Sequence, residues 1–341
     1  MNVLQQLMRS AQPVENAPAH GLPDARWSPL EVVFWCVPVA VFFLFPDYLV
    51  FGSQVLIVGL FALSLDLVLG YAGIVSLGHA GFFGLGAYTA GLLAAHGWGE
   101  PLTGLAAGAI VAALAGFCVS FLVVRGQDLT RLMVTLGIGL MLYEAANKMA
   151  FLTGGVDGLS GVTMRNLLGA FEFDLAGRTA YVYSLVVLFI VFVVLRRLVR
   201  SPFGLSLRGI QQGPKRMPAI GANVRMRLVA AFTVSAAIAG VAGGLLAQTT
   251  QFVGLDSLGF SRSAELLIML VLGGAGRLYG ALIGAAVFML AQDVLSGINP
   301  VYWQFWIGLL LMVIVLFARG GILGGLEAAV RAWRARKGGA A

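Results

Sequence analysis

The chain has 341 residues, 59% of them hydrophobic, with only 22 basic and 15 acidic side chains and a net charge of +7. A soluble domain is about a quarter charged, so this composition excludes a soluble enzyme, a nucleic-acid-binding protein and a disordered chain. It indicates a polytopic membrane protein, in which a basic excess collects on cytoplasmic loops.

Residues 1–28 are a polar head rich in Pro, Gln and Asn, without the apolar core of a signal peptide. Five apolar segments follow: Leu30–Phe45, Ser53–Gly70, the Gly-rich Val75–His96, Leu102–Val124 and Leu129–Leu152. A polar, Gly-rich loop spans Thr153–Arg178, and Ala180–Leu195 is the sixth segment. A basic loop, Arg196–Arg227, leads to Leu228–Gln251. Ala264–Gly274 is apolar but short, a half-span or re-entrant piece by length. Leu278–Leu295 and Gln304–Phe317 complete the set, and a basic tail occupies 321–341. A span takes about 20 apolar residues. The expected fold class is therefore an all-α, polytopic transmembrane helical bundle over residues 29–320, with about eight to ten membrane segments.

Charge placement orients this bundle. If all ten segments cross and both termini share a side, only Lys148, Arg165, Arg178 and Arg262 lie opposite the other 18 basic residues. That bias places both termini in the cytoplasm.

Few residues are candidates for chemistry. Glu144 and Lys148 form an i,i+4 couple that is expected to neutralise itself. Glu265 and Asp293 are expected near water at outer helix ends. Asp66 and His79 lie deeper, and a proton relay would require them to meet across the Gly70–Ile74 turn. Cys36 and Cys118 sit in apolar segments, where small packing residues are expected. No catalytic constellation, metal-ligand spacing or Walker A sequence occurs.

Two stretches are more informative. Gly70–Ala94 reads GYAGIVSLGHAGFFGLGAYTAGLLA, with small residues at the spacing that lets helices approach closely. Packing explains the glycines, but not Ser76, His79 and Tyr88 among them. Leu272–Gly276 echoes Leu77–Gly81, too briefly to establish a repeat. The Arg196–Arg227 loop holds eight basic residues and no acid. It is either an anchor beside anionic lipid or a docking element, with Ile210, Met217 and Ile220 suiting a short amphipathic helix.

Three stretches together resemble the permease subunits of branched-chain amino acid ABC importers, of the LivM type. They are SLDLVLGYAGIVSLGHAGFFGLGAYTAGLL (Ser64–Leu93), TGGVDGLSGV (Thr153–Val162), and the run from SPFGLSLRGI through AFTVSAAIAGVAGGLLA to SAELLIMLVLGGAGRLYGALIGAAVF (Ser201–Phe288). The resemblance implies a non-enzymatic transport subunit of a bacterial inner membrane, surrounded by lipid. It implies a second, homologous permease, two cytoplasmic ATPase subunits that hold ATP and Mg, and a periplasmic substrate-binding protein. No cofactor on this chain, no metal and no nucleic acid are implied.

The same resemblance implies site residues. The substrate path would draw on the Gly-rich span and the Gly273–Gly276 region, with Ser76, His79, Phe82, Phe83, Gly273 and Gly274 as its candidates. The ATPase-coupling element would be Gly209–Ala222, with Gly209, Ile210, Lys215, Arg216, Met217, Ile220 and Gly221. The Thr153–Arg178 and Phe252–Arg262 loops would face the binding protein. Two departures from the family pattern stand out. Ile74 replaces a common Gln, and the coupling segment reads Gln211-Gln212-Gly213-Pro214 with Pro218 beyond. Proline inside a helix costs about 3 kcal/mol, so the coupling helix is expected to be very short or to begin near Pro218. Two other classes are an ion-coupled secondary transporter using Asp66 and His79, and a membrane-embedded enzyme, which lacks a visible nucleophile–base set. Relatives that carry urea or short amides form a further alternative within the family.

Overall fold

Each of the ten apolar segments is a helix in the computed structural model, which describes residues 29–325 except 127, 168, 170, 175, 301 and 318–320. The polar head and most of the basic tail lie outside the described residues. The helices are α1 (Pro29–Leu44), α2 (Leu49–Asp66), α3 (His79–Ala95), α4 (Pro101–Arg125), α5 (Asp128–Lys148) and α6 (Arg178–Arg200). An amphipathic helix, α7 (Pro202–Gln212), is followed by α8 (Val224–Thr250), α9 (Phe260–Gly273), α10 (Leu278–Ile298) and α11 (Trp303–Phe317). Six membrane-length apolar helices occur among the described residues, built on α2, α4, α5, α6, α8 and α10. The chain is thus a polytopic helical bundle. Exposed apolar side chains such as Val33, Val37, Ile110 and Leu114 suit a lipid surface.

Contacts along the helices fix their relative directions. Ser64 and Phe61 of α2 meet His79 and Phe83 of α3 in antiparallel order. His79 meets Ser235 of α8, and Gly86 packs on Gly240, so α3 and α8 run parallel. Gln248 of α8 donates to the Pro101 carbonyl while Gly116 packs on Ala236, so α4 opposes α8. Gly78 and Gly81 meet Thr135 and Leu142, which sets α5 parallel to α3. Gly52 and Val50 meet Tyr181 and Gly177, which sets α6 parallel to α2. Thus α1, α3, α5, α8 and α10 run one way, and α2, α4, α6 and α9 the other.

The short α9 therefore does not turn back. It begins beside Gln54 of α2, and the turn after it packs on Gly70. The sixteen steps from Gln54 to Gly70, along α2 and the turn that extends it, span about 24 Å. One face of the molecule then holds α7 and the α9–α10 turn. Eleven basic residues among the described ones gather there: Arg125, Arg131, Arg196, Arg197, Arg200, Arg208, Lys215, Arg216, Arg225, Arg227 and Arg277. Lys148, Arg165, Arg178 and Arg262 lie at the opposite face.

Several local expectations need correction. The third segment becomes helical only at His79, because Gly73 takes a φ of +72° and residues 72–78 leave the helix. α6 runs past Leu195 to Arg200, where Arg196 and Arg200 pair with Glu31 of α1 at 2.6 and 3.7 Å. The helix of the basic loop lies upstream of the expected Gly209–Ala222. Pro202 opens it at the first-turn position that tolerates proline, and it stops at Gln212, two residues before Pro214. Pro218 occupies a separate turn of 3-10 helix, Met217–Ile220. Glu144 and Lys148 are exposed, and no ion pair within 4.0 Å joins them among the described residues. Cys36 and Cys118 are exposed on the outer surfaces of α1 and α4 instead of packing inside.

The Gly-rich region is a close-packed junction. A methyl group on Gly86 would overlap the Gly240 backbone, and one on Gly243 would overlap the Phe83 carbonyl. α3, α4 and α8 approach through these glycines, as small residues allow in membrane helices.

Candidate functional site

A cavity of about 290 Å³ opens at the face opposite α7, between α2, α3, α8, α9 and α10. Its size falls near the lower end of small-molecule sites. The rim is polar: Gln54, Thr250, Ser257, Asp256, Arg262 and Glu265. The walls and floor are apolar: Val58, Phe61, Phe83, Leu246, Leu266, Met269 and Met289, joined by Phe252 near the mouth. The rings of Phe61 and Phe83 stack with centroids 4.4 Å apart.

Local sequence builds the rim. The 3-10 turn Leu255–Leu258 carries Asp256 beside the start of α9. Arg262 and Glu265 are three apart on α9 and share one helix face. The Arg262 guanidinium donates to Asp256 at 3.2 Å and to Glu265 at 3.4 Å. Glu265 is half-buried, and its pairing with Arg262 differs from the simple solvation expected of it. Asp293 is exposed as expected.

Behind the cavity floor lies a fully buried polar cluster. His79 stacks on Phe61 with centroids 5.9 Å apart. Its Nε2 is 3.0 Å from Ser64 Oγ and 3.3 Å from Ser235 Oγ. Ser64 donates its hydroxyl to the Phe61 carbonyl, and Ser235 donates to the Ser64 carbonyl. Both hydroxyl protons are thereby committed, so His79 Nε2 is the donor and Nδ1 the bare nitrogen. His79 Nδ1 has no partner among the described residues.

Asp66 is also fully buried but points elsewhere. Its Oδ1 accepts the Gly276 N–H at 2.7 Å. No hydrogen bond joins it to His79, so the relay that would require those two residues to meet is not formed.

The structure separates the expected path residues. Phe83 lines the cavity, and His79 stands behind Phe61. Phe82 instead packs on Phe232. Ser76 is buried in the helix break, while Gly273 packs on Gly280 and Gly274 begins the α9–α10 turn at a φ of +104°. The coupling candidates also divide. Ile210 is buried on α7 and Gly209 meets the Met217 thioether. Lys215, Arg216 and Ile220 are exposed, and Gly221 closes the 3-10 turn at a φ of +78°. Ile210, Met217 and Ile220 thus do not share one helix face.

Sequence reasoning missed Gln54, Phe61 and Met269 as cavity residues, because nothing separates them from other span residues. Arg262 and Glu265 did carry a signal: opposite charges three apart in a chain with few charges.

A family model described as "Branched-chain amino acid transport system / permease component" matches residues 49–316. LivM, the high-affinity branched-chain amino acid transport system permease protein of Escherichia coli K12, is 29% identical over 283 residues, covering 76% of this chain and 66% of LivM. The LivM protein of Salmonella typhimurium is 28% identical over 299 residues, covering 80% of this chain and 69% of that protein. LivH of E. coli K12 is 24% identical over 285 residues, 78% of this chain and 90% of LivH. The chain therefore spans about two thirds of the LivM proteins' own length. No solved structure matches at a significant level.

Proposed function

We infer the role of this chain from one premise: it belongs to the branched-chain amino acid transport system permease family. As a permease subunit it works by moving substrate, and we assign it no reaction of its own. The reading is an ATP-driven ABC importer of the bacterial inner membrane, carrying branched-chain or other hydrophobic amino acids. A second, homologous permease would complete the membrane unit, as the similarity to both LivM and LivH suggests. Two ATPase subunits, with ATP and Mg, would dock on the α7 face. Its eleven basic residues, against four opposite, support a cytoplasmic placement. A periplasmic binding protein would deliver substrate at the other face, over the Phe252–Arg262 and 153–178 loops. ATP binding and substrate would then bias one equilibrium between outward- and inward-facing states.

The observation that carries the substrate reading is the cavity. Its floor of Phe61, Phe83, Met269 and Met289 suits an aliphatic side chain. Its rim offers a guanidinium for a carboxylate and two carboxylates for an ammonium group. Urea or a short amide carries no charge to match the rim and no branched aliphatic group to fill the floor. Competition tests this directly in proteoliposomes containing the whole transporter. Leucine should inhibit labelled leucine uptake at lower concentration than leucinamide or 4-methylpentanoate, each of which lacks one charge. Arg262→Gln should shrink the preference for leucine over leucinamide by about tenfold, the cost of one charge-assisted hydrogen bond of about 1.5 kcal/mol. Equal inhibition by all three compounds in the wild type would contradict the assignment.

A further inference from the structure

After Asp66, α2 does not end cleanly. The backbone widens into a π-helical turn, Leu67–Tyr71, and then leaves the helix before α3. Such turns are rare and cluster at functional sites. Shifting one residue between π and α geometry rotates the downstream backbone by about 100°. The turn is therefore a place where a small push can re-aim the start of α3.

Two neighbours grip this turn from different sides. On one side α7 lays the Arg208 guanidinium over the Tyr71 ring, 5.0 Å from its centroid. Gln211 of α7 also packs against Gly73, just beyond. On the other side is the α9–α10 turn, where Gly276 donates to the Asp66 carboxylate at 2.7 Å. Gly70 and Gly276 meet backbone to backbone, and a methyl group on Gly70 would overlap Gly276 and the Asp66 carboxylate. Four helices that wall the cavity, α2, α3, α9 and α10, have an end at or beside this junction.

Asp66 is costly where it stands. A buried carboxylate in a membrane bundle loses its hydration, and intramembrane charges are functional by default. Only one of its oxygens is hydrogen-bonded, and Oδ2 has no partner among the described residues. Packing alone does not account for it.

We propose that the Leu67–Tyr71 turn is the joint that carries motion of α7 to the cavity, with Arg208, Tyr71 and Asp66 as its positioning residues. A displaced α7 moves Tyr71 through Arg208. The turn passes that displacement through Asp66 and Gly276 to the α9–α10 hairpin, and through residues 72–78 to α3. Phe61, Phe83, Met269 and Met289 sit farther along the same four helices, so the cavity walls move with the joint. The proposal rests on the reading of α7 as the ATPase-facing element.

The test uses the full transporter in proteoliposomes, with leucine uptake and ATP hydrolysis measured on the same sample. Arg208 is exposed, so Arg208→Ala tests the joint without a core substitution. Arg208→Ala and Tyr71→Leu should lower leucine moved per ATP by about fivefold or more, the range of a typical coupling free energy. The ATPases should still co-purify and hydrolyse ATP. Tyr71→Phe keeps the ring beneath Arg208 and should retain more of the wild-type ratio than Tyr71→Leu. An unchanged ratio in Arg208→Ala and Tyr71→Leu overturns the joint. So does a parallel loss of uptake, hydrolysis and ATPase co-purification, which would make Arg208 a docking contact. A wild type that takes up no leucine on ATP overturns the importer reading, and the joint with it. Wild-type uptake with an unchanged variant ratio overturns the joint alone.

Discussion

A methyl group added at Gly243 would strike the Phe83 carbonyl, whereas one at Gly137 would meet nothing within 4 Å. Both glycines are helical, yet their substitutions should differ in sign. Gly243→Ala forces backbone apart at the α3–α8 crossing and should destabilise by about 1–3 kcal/mol, as overpacking does. Gly137→Ala should be neutral or stabilising by up to about 1 kcal/mol, through helix propensity. Thermal unfolding in detergent checks the pair, and equal melting shifts would refute the packing argument. A methyl group at Gly84 would overlap the buried Leu258 side chain instead of a carbonyl. The Gly-rich pattern was readable in the sequence as a packing surface. Which glycines touch backbone and which touch side chains depends on the partner helix, and no local spacing encodes that.

At the scale of elements, hydropathy located every apolar helix to within a few residues. Burial in the bundle and contact with lipid both select apolar side chains, so length and hydropathy sufficed there. They failed where the backbone itself departs from a helix. The break at 72–78 and the π turn before it are as apolar as the spans they interrupt. α7 was expected too far downstream for the opposite reason: it lies across a basic loop, and its buried face is only Gly204, Ser206, Leu207 and Ile210. α8 begins with a polar signal that is sharper. Asn223 caps it, its side chain accepting the Met226 N–H at 3.2 Å. Asn223→Ala should lower stability by about 1 kcal/mol, read by the same unfolding assay, while Asn223→Ser should retain most of it. In the exposed linker after α7, reversing Lys215 and Arg216 to Glu should weaken ATPase co-purification without reducing membrane insertion. Unchanged co-purification would remove this linker from the docking surface.

For the whole molecule, the few charges divide between two tasks. Most basic residues mark one face. Arg262, Asp256 and Glu265 are set apart at the rim of a cavity whose interior is otherwise apolar. The gathering of basic residues on one face was legible in the sequence because it depends only on which loops hold Lys and Arg. The cavity was not, because five helices and a 3-10 turn supply its walls and no two adjacent segments suffice. Asp66 and His79 were singled out correctly as buried polar groups, but their partners are Gly276 on one side and two serines on the other. An ion relay between them has no bond to travel along. The proposed function has substrate crossing this permease on ATP and not on an ion gradient. Labelled leucine uptake into proteoliposomes containing the chain, its partner permease, the ATPases and the binding protein tests it most directly. Uptake should require ATP and survive an ionophore that collapses proton and sodium gradients. Uptake that persists without the ATPases and vanishes with the ionophore would contradict it.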